Sequence, residues 1–516
     1  HTVDALLMNE RVHRRDLDVW VHAVPKTNKL PLIYFPDMDT YNDSDVEQAR
    51  IGYIGKFNYN YANKYYLEFS GRYDGSWKFI KDKRWGFFPS ISGGWRITEE
   101  EFIKNLLGYP DLDLKLRASY GELGDDAVGI GDFDYLRGYN YNASTVVIDG
   151  KVIVGARDRG EPITNISWYT SKITDIGLDF SLLDTKLSGS LDYFYRKREG
   201  LRGRKYDVLV PSELGYTLPD ENVNSDAVTG GELLLSYNGK AQDFIYSVGG
   251  NISYARQKFL HSYKPRWGNS WDHYRNSSEE RWDGIFWGYE AIGQFQSYEQ
   301  INNYPVNIDG QGNKTLLPGD LIYKDVNQDG VINDYDVRPI GYPAGRNPIL
   351  NYGINASAQY KDFDISIDFA GGAMYSYNRN WEIRWPYQNT GNLLRQFFDN
   401  RWHRADPFDV NSEWIPGKYP PLRFNEPNHS NYNKNSTFWL TNQKYLRLKT
   451  IELGYTLPKQ LSNRIGIQSA RFYVNGFNLF SLDNVRKYGV DPEIMDDNGL
   501  QYPQHRRMNI GVNLSF

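Results

Sequence analysis

The sequence predicts an all-β chain: about 14 antiparallel strands that are the C-terminal portion of a large transmembrane β-barrel, one that closes with roughly 22 strands when complete. Three observations carry this. Apolar and polar residues alternate with period two in segment after segment. Short and long connections alternate along the chain, and aromatic residues cluster at the segment ends.

The last segment, MNIGVNLSF, shows the pattern most strictly. Met508, Ile510, Val512, Leu514 and Phe516 are apolar, and the residues between them are small or polar. Upstream, Ile354, Ala356, Ala358 and Tyr360 form one such face, and Phe363, Ile365, Ile367 and Phe369 form another. Leu114, Leu116, Ala118 and Tyr120 make a third, with Lys115, Arg117 and Ser119 opposite. Phe57, Tyr59, Tyr61, Leu67, Phe69 and Tyr73 continue the series, as do Phe244, Tyr246, Val248, Ile252 and Tyr254. Asp364 and Asp368 share a strand face, which would be costly in a dry sandwich core unless both were paired. A soluble sandwich or propeller therefore explains the pattern less well than a barrel with a lipid face and a hydrated one.

Composition agrees. Aromatics make up 16% of the 516 residues, with 41 Tyr and 14 Trp, which excludes a disordered chain. No stretch approaches the roughly 20 apolar residues of a spanning helix. The net charge of -5 comes without a basic stripe, so no nucleic-acid partner is expected. Cysteine is absent, which excludes disulfides and thiolate metal sites. The chain opens on His1 with no charged-then-apolar leader, and is read as a mature or truncated product.

Very short connections are expected at 62–64, 184–185, 238–240 and 361–362. Long ones are expected at 12–48, 125–166, 199–224, 261–347, 376–437 and 483–504, with a helical turn at 97–111 and a modest loop at 74–84. Placing Phe516 at the periplasmic rim puts every very short turn inside and the long loops outside. About eight strands and a plug domain would then precede residue 1.

Stretches spread over the whole chain resemble the SusC/RagA family of TonB-dependent outer-membrane transporters of Bacteroidetes. HTVDALLMNE resembles a family strand of the form H-x-x-x-A-L-L-G-x-E, with Met8 in place of the glycine. Residues 51–76, 84–102 (RWGFFPSISGGWRITEEEF), 114–125 (LKLRASYGELGD) and 319–336 (GDLIYKDVNQDGVINDYD) follow in family order. Then come 445–458 (YLRLKTIELGYTLP), 472–480 (FYVNGFNLF) and the aromatic C-terminus. The resemblance implies outer-membrane import of oligomeric nutrients, glycans first and oligopeptides second, driven through the TonB complex by way of a plug in the missing N-terminal half. It also implies a SusD-like surface lipoprotein as lid, contact with outer-membrane lipid, and a dimer of transporter–lid pairs. On this reading Trp267, Trp271 and Tyr274, with Trp381, Trp385 and Tyr387, are candidate substrate-binding residues, because flat rings stack on sugars. The alternative is that they pack the loops or meet the lid.

One motif carries its own chemistry. In KDVNQDGVINDYD, Asp325, Asn327, Asp329, Val331, Asn333 and Asp336 fall at positions 1, 3, 5, 7, 9 and 12 of a Ca²⁺ loop, with Gly330 at position 6. Asp at position 12, rather than Glu, resembles the dockerin variant. Three carboxylates so close repel one another without a cation, so one structural Ca²⁺ is expected. No catalytic constellation is present: H-E-x-x-H, G-x-S-x-G, Walker and dinucleotide patterns are all missing, and the eight His are dispersed. The chain is therefore read as not an enzyme. A passive porin or an outer-membrane hydrolase is the remaining rival.

Overall fold

A computed structural model describes residues 1–23, 38–103, 111–204, 211, 213, 220–263, 267–388, 391–424, 426–494, 498–502 and 504–516. Fourteen strands follow one another in a single antiparallel sheet, each paired to its predecessor in the chain. They are β1 (Thr2–Ala23), β2 (Met38–Tyr61), β3 (Tyr65–Ser76), β4 (Trp85–Arg96), β5 (Asp113–Asp125), β6 (Tyr169–Leu182) and β7 (Leu187–Gly203). After them come β8 (Glu221–Ala241), β9 (Phe244–His261), β10 (Leu350–Tyr360), β11 (Phe363–Asn378), β12 (Leu440–Thr456), β13 (Ser469–Phe477) and β14 (Arg507–Ser515). Residues 481–483 add a short pairing to β12. No helix among the described residues is long and apolar enough to cross a membrane.

Connections alternate as expected. Those at 62–64, 183–186, 242–243 and 361–362 are tight, and Ala62, Asn63, Asp184, Gln242 and Lys361 all take positive φ there. The turn expected at 238–240 lies instead at Gln242–Asp243, with Asn238-Gly239-Lys240 inside β8. Gly239 is small for a packing reason: a Cβ there would run into the Tyr246 ring of β9. The 12–48 segment is also mostly strand, because β1 and β2 stay in register from Val12↔Arg50 to Val21↔Tyr41. Its alternation is blurred by charges that pair across the strands, including Arg15 with Asp45 and His13 with Glu47. A strand of 22 residues is far longer than the roughly 9–11 that cross a bilayer, so this hairpin continues past it. The expected 125–166 loop contains a further hairpin, 139–148 against 151–158, turned by Asp149 and Gly150 at φ 51 and 73. The 199–224 loop narrows because β7 reaches Gly203 and β8 begins at Glu221. Of the helical turn expected at 97–111, Ile97–Glu99 form a 3-10 turn, and 104–110 lie outside the described residues.

The chain divides into two compact units: residues 1–179, 193–229 and 258–281, and residues 180–192, 230–257 and 282–516. In the first, the apolar face of β2–β5 leaves Phe57, Phe69, Tyr73, Phe87, Ile91 and Tyr120 exposed. On the opposite face Arg117 holds Asp179 through two bonds of 2.8 and 2.9 Å, and Lys56 meets Glu68 at 2.9 Å. In the second, Ile354, Phe363, Leu453, Phe472, Val474 and the whole predicted face of β14 are exposed. Arg471 there donates to Asp364 at 3.0 Å and to Glu452 at 2.7 Å, and Asn475 reaches Glu452 at 3.1 Å. Each unit therefore has one large exposed apolar face and one face of paired charges. That division suits hydrocarbon on one side and water on the other.

Phe88 is packed in the first unit, edge-on to Trp168 at 5.3 Å, and it fills the space over Gly86 and Gly124. A Cβ on Gly124 would overlap the ring. Gly124→Ala is expected to lower the unfolding free energy in detergent by about 1–3 kcal/mol, the usual range for overpacking. The double variant Gly124→Ala/Phe88→Ala should lose less than the sum of the two single changes. Additive losses would contradict this packing.

Candidate functional site

The second unit gathers a folded mass from residues 286–345 and 376–439, built around fully buried Tyr323, Phe295 and Trp439. Asp320 is the polar hub. It accepts from Arg423 at 2.6 Å, from the Asn431 amide at 2.8 Å and from the Leu317 N–H at 2.8 Å. Asn431 in turn accepts the Leu321 N–H at 3.0 Å, and its carbonyl takes the Trp439 indole N–H at 2.7 Å. Tyr323 donates to the Ser430 carbonyl at 2.7 Å. Phe397, Tyr419, Tyr432 and Trp439 form the apolar partner of this network. Sequence reasoning missed it, because its members lie more than a hundred residues apart. The available signal was Gly319-Asp320 at the head of the 319–336 stretch: Gly319 takes φ +96, and a side chain there would strike Trp402.

The 325–336 loop lies on this mass. Gly330 has φ +82, and Asp325 accepts the Gln328 and Gly330 N–H groups at 2.7 and 2.9 Å. Val331 donates to Asp329 at 2.9 Å, and Ile332 is buried, as an anchor at position 8 should be. Asn307 donates its N–H to the Gly330 carbonyl at 2.8 Å and accepts the Ile332 N–H at 2.9 Å, a parallel bridge that fixes the loop to its neighbour. Asp336 is 1% exposed and accepts Val326 and Asn333 N–H groups at 2.8 and 2.9 Å, capping the 3-10 turn Asp334–Asp336. The residue types and the sharp glycine turn are those of a hard-cation loop. The carboxylates themselves do not converge: among the described residues no three His, Cys, Asp or Glu are grouped to share a metal. Hydrogen bonds already offset the repulsion expected from the sequence, and the Asn327 amide, followed by the Val331 N–H, holds the Asp329 carboxyl below its usual range.

The aromatic candidates separate by environment. In the first unit Trp267 is half-buried, 5.9 Å from His273, while Trp271 lies 5.5 Å from the exposed Tyr274. In the second, Trp385 packs against the loop core, Trp381 stays exposed 5.4 Å from it, and Tyr387 lies 5.3 Å from the exposed Phe424. Of these rings and their neighbours in the second unit, Trp381 and Phe424 are exposed, the latter not foreseen.

Burial, reinforced by Arg423, pushes His429 down to about 3, and the same burial raises Asp320 to about 6 against the pull of Arg423. The two groups act in opposite directions on stability. The depressed His429 contributes stability that is full above pH 6.5 and lost as pH falls toward 3. The raised Asp320 contributes below its ordinary value and loses that contribution as pH rises through about 6. Between about pH 6 and Asp320's ordinary value the two contributions offset each other, so the melting temperature should fall on acidification from pH 6.5 chiefly outside that overlap. His429→Gln should flatten that fall; an unchanged slope would contradict the assignment.

The family described as TonB dependent receptor-like, beta-barrel matches residues 15–321, more than half of the chain. The chain is 28% identical to TonB-dependent receptor P3 of Formosa agariphila over 495 residues, covering 91% of this chain and 46% of that protein. It is 27% identical to TonB-dependent receptor SusC of Bacteroides thetaiotaomicron over 495 residues, covering 90% and 44%. It thus spans about half the length of these curated relatives. The fold is similar to that of the RagAB peptide importer in its open-open state, with a TM-score of 0.73 at 21% identity, covering 100% of this chain and 52% of that one. With its continuous antiparallel sheet and exposed apolar faces, the chain belongs to the TonB dependent receptor-like β-barrel family of outer-membrane proteins.

Proposed function

We propose that the whole protein imports an oligomeric nutrient, a glycan in the first instance, across the outer membrane at the expense of TonB-transmitted energy. The observation that carries this is the division of labour in the sheet, in a member of this family. Apolar faces are left for lipid, ion-paired faces are left for water, and the two longest connections, 262–349 and 379–439, leave from the same strand ends. Those connections are proposed to be extracellular and to meet a SusD-like lipoprotein that serves as lid, in a dimer of transporter–lid pairs. Trp381 and Phe424 would offer faces to sugar rings. Oligopeptide is the second substrate class. The test is purification of the full-length protein in mild detergent, followed by binding to panels of oligosaccharides and oligopeptides. The expected result is co-purification of a SusD-like lipoprotein and binding of a glycan that Trp381→Ala weakens. A lone barrel that binds neither class would contradict the proposal.

We also propose that the 325–336 loop holds one Ca²⁺, a role supported by its oxygen-rich spacing and the Gly330 turn. Asp325, Asn327, Asp329, Asn333, Asp336 and the Val331 carbonyl would hold it, keeping the loop rigid rather than performing chemistry. Elemental analysis should find one Ca²⁺ per chain, and chelation should lower the melting temperature in the parent but not in Asp325→Ala. Equal melting curves with and without chelator, and no retained Ca²⁺, would leave the hydrogen bonds as the loop's whole support.

A further inference from the structure

Positive charge collects at one end of the sheet in the first unit, although the chain as a whole carries a net charge of -5. Arg196, Arg198, Arg202 and Arg204 crowd the end of β7, and Lys83 and Arg84 immediately precede β4. Hydrogen bonds join the two groups. Trp168 donates its indole N–H to the Arg84 carbonyl at 3.1 Å, and the Ser167 hydroxyl donates to the Lys83 carbonyl at 3.3 Å. The Ser167 N–H reaches Asn222 at 2.8 Å, and the Asn222 amide donates to the Gly200 carbonyl at 2.5 Å. The six cations therefore lie along one continuous rim.

The rim belongs to water rather than lipid. Leu191, Tyr193 and Tyr195 are exposed on the apolar face of β7, so the alternate positions Arg196 and Arg198 turn to the ion-paired face. Arg198 holds Asp226 through Nη2 and through Nε at 2.8 Å, and Arg202 holds Asp220, which also meets Arg204 at 3.6 Å. The two carboxylates are 2% and 16% exposed, whereas the three arginine side chains are 38%, 44% and 47% exposed. Solvent thus meets the cationic side of each pair. The other three cations are compensated less. Lys83 donates to the Asn165 carbonyl at 2.9 Å, Arg84 reaches the Phe79 carbonyl at 3.4 Å, and the Arg196 Nε is buried without an acceptor. Among the described residues no carboxylate pairs with any of them. Nearby acids do not restore the balance. Asp126 is taken by Arg50 at 2.7 and 3.1 Å, and Glu199 by Lys172 and Lys197 at 2.6 Å each. That leaves Asp125 beside Arg198.

We infer that this rim binds an acidic oligosaccharide, one that carries carboxylate or sulfate groups along its length. A guanidinium is planar and always charged, and it meets such oxyanions through paired N–H bonds; a neutral glycan offers it no opposite charge. Alternate residues of a strand lie about 7 Å apart, so cations strung along β7 suit repeated acidic groups better than a single one. A patch of one sign also raises the local concentration of an anionic oligomer. The phosphate of a membrane lipid would sit on the opposite, apolar face. The inference rests on the reading of the protein as a glycan importer and narrows its substrate class.

The test titrates the full-length protein in mild detergent with matched pairs of oligosaccharides, uronate-bearing against carboxyl-reduced and sulfated against desulfated, together with acidic oligopeptides. The acidic member of a pair should bind more tightly than its neutral counterpart, and its affinity should fall as salt rises. Which pair responds separates carboxylate from sulfate. Arg84→Gln and Arg196→Gln, neither of which strands a carboxylate, should each weaken the acidic member about tenfold, the worth of one charge-assisted bond. Affinity for the neutral member should not change. Should a variant fail to fold, the matched pairs and the salt series on the parent still decide. Equal binding of both members, or unchanged affinity in the folded variants, would overturn this inference alone. Preference for an acidic peptide, or no binding of any glycan, would overturn it together with the reading on which it rests.

Discussion

Hydrocarbon offers no hydrogen bonds, so every backbone N–H and C=O inside a membrane must be satisfied by the chain itself. A strand can meet that demand only through its neighbours, which forces each of the fourteen strands into continuous pairing along the sheet. The rest follows from this one constraint. Pairing fixes register, register fixes which residues share a face, and the two faces must answer to two different solvents. Phe472 and Val474 point to one, and Arg471 and Asn475, tied to Asp364 and Glu452, point to the other.

The same constraint governs what happens at the strand ends. Tight turns at 242–243 and 361–362 return the chain immediately and keep the register. The long connections between β9 and β10 and between β11 and β12 leave the lipid and are free to fold as soluble protein does, around a core. That core is polar at its centre, with Asp320 held by Arg423 and Asn431 beside Tyr323 and Trp439. Breaking a buried pair by removing one partner typically costs about 3–5 kcal/mol, so the network specifies how these loops meet and not merely that they collapse.

Much of the fold was legible in the sequence, because period-two alternation is a local property. The faces of β10, β11 and β14 were read residue by residue, and the turns at Asn63, Asp184 and Lys361 lie where turn chemistry placed them. Errors arose where a local signal had a non-local cause. Gly239 looks like a turn glycine but makes room for Tyr246 from the next strand. Residues 13–16 look like a loop because His13, Arg14, Arg15 and Asp16 put polar groups on both faces, yet cross-strand charge pairs keep them extended. The 139–158 hairpin was hidden inside a segment read as unstructured. In the loops the sequence pointed to Trp381 and to the 325–336 turn, since single residue types and short spacings carried them. It could not point to Asp320 or Asn431, whose roles exist only once distant segments meet.

The central claim is that alternate residues of one strand face lipid and water. Spin labels placed singly along Ser469–Phe477, which is paired on both sides, test it most directly. In liposomes, collision with oxygen should peak at Phe472 and Val474, and collision with a water-soluble nickel chelate should peak at Arg471, Tyr473 and Asn475. Two profiles of period two, out of phase, are what the account predicts. Profiles in phase, or without periodicity, would contradict it.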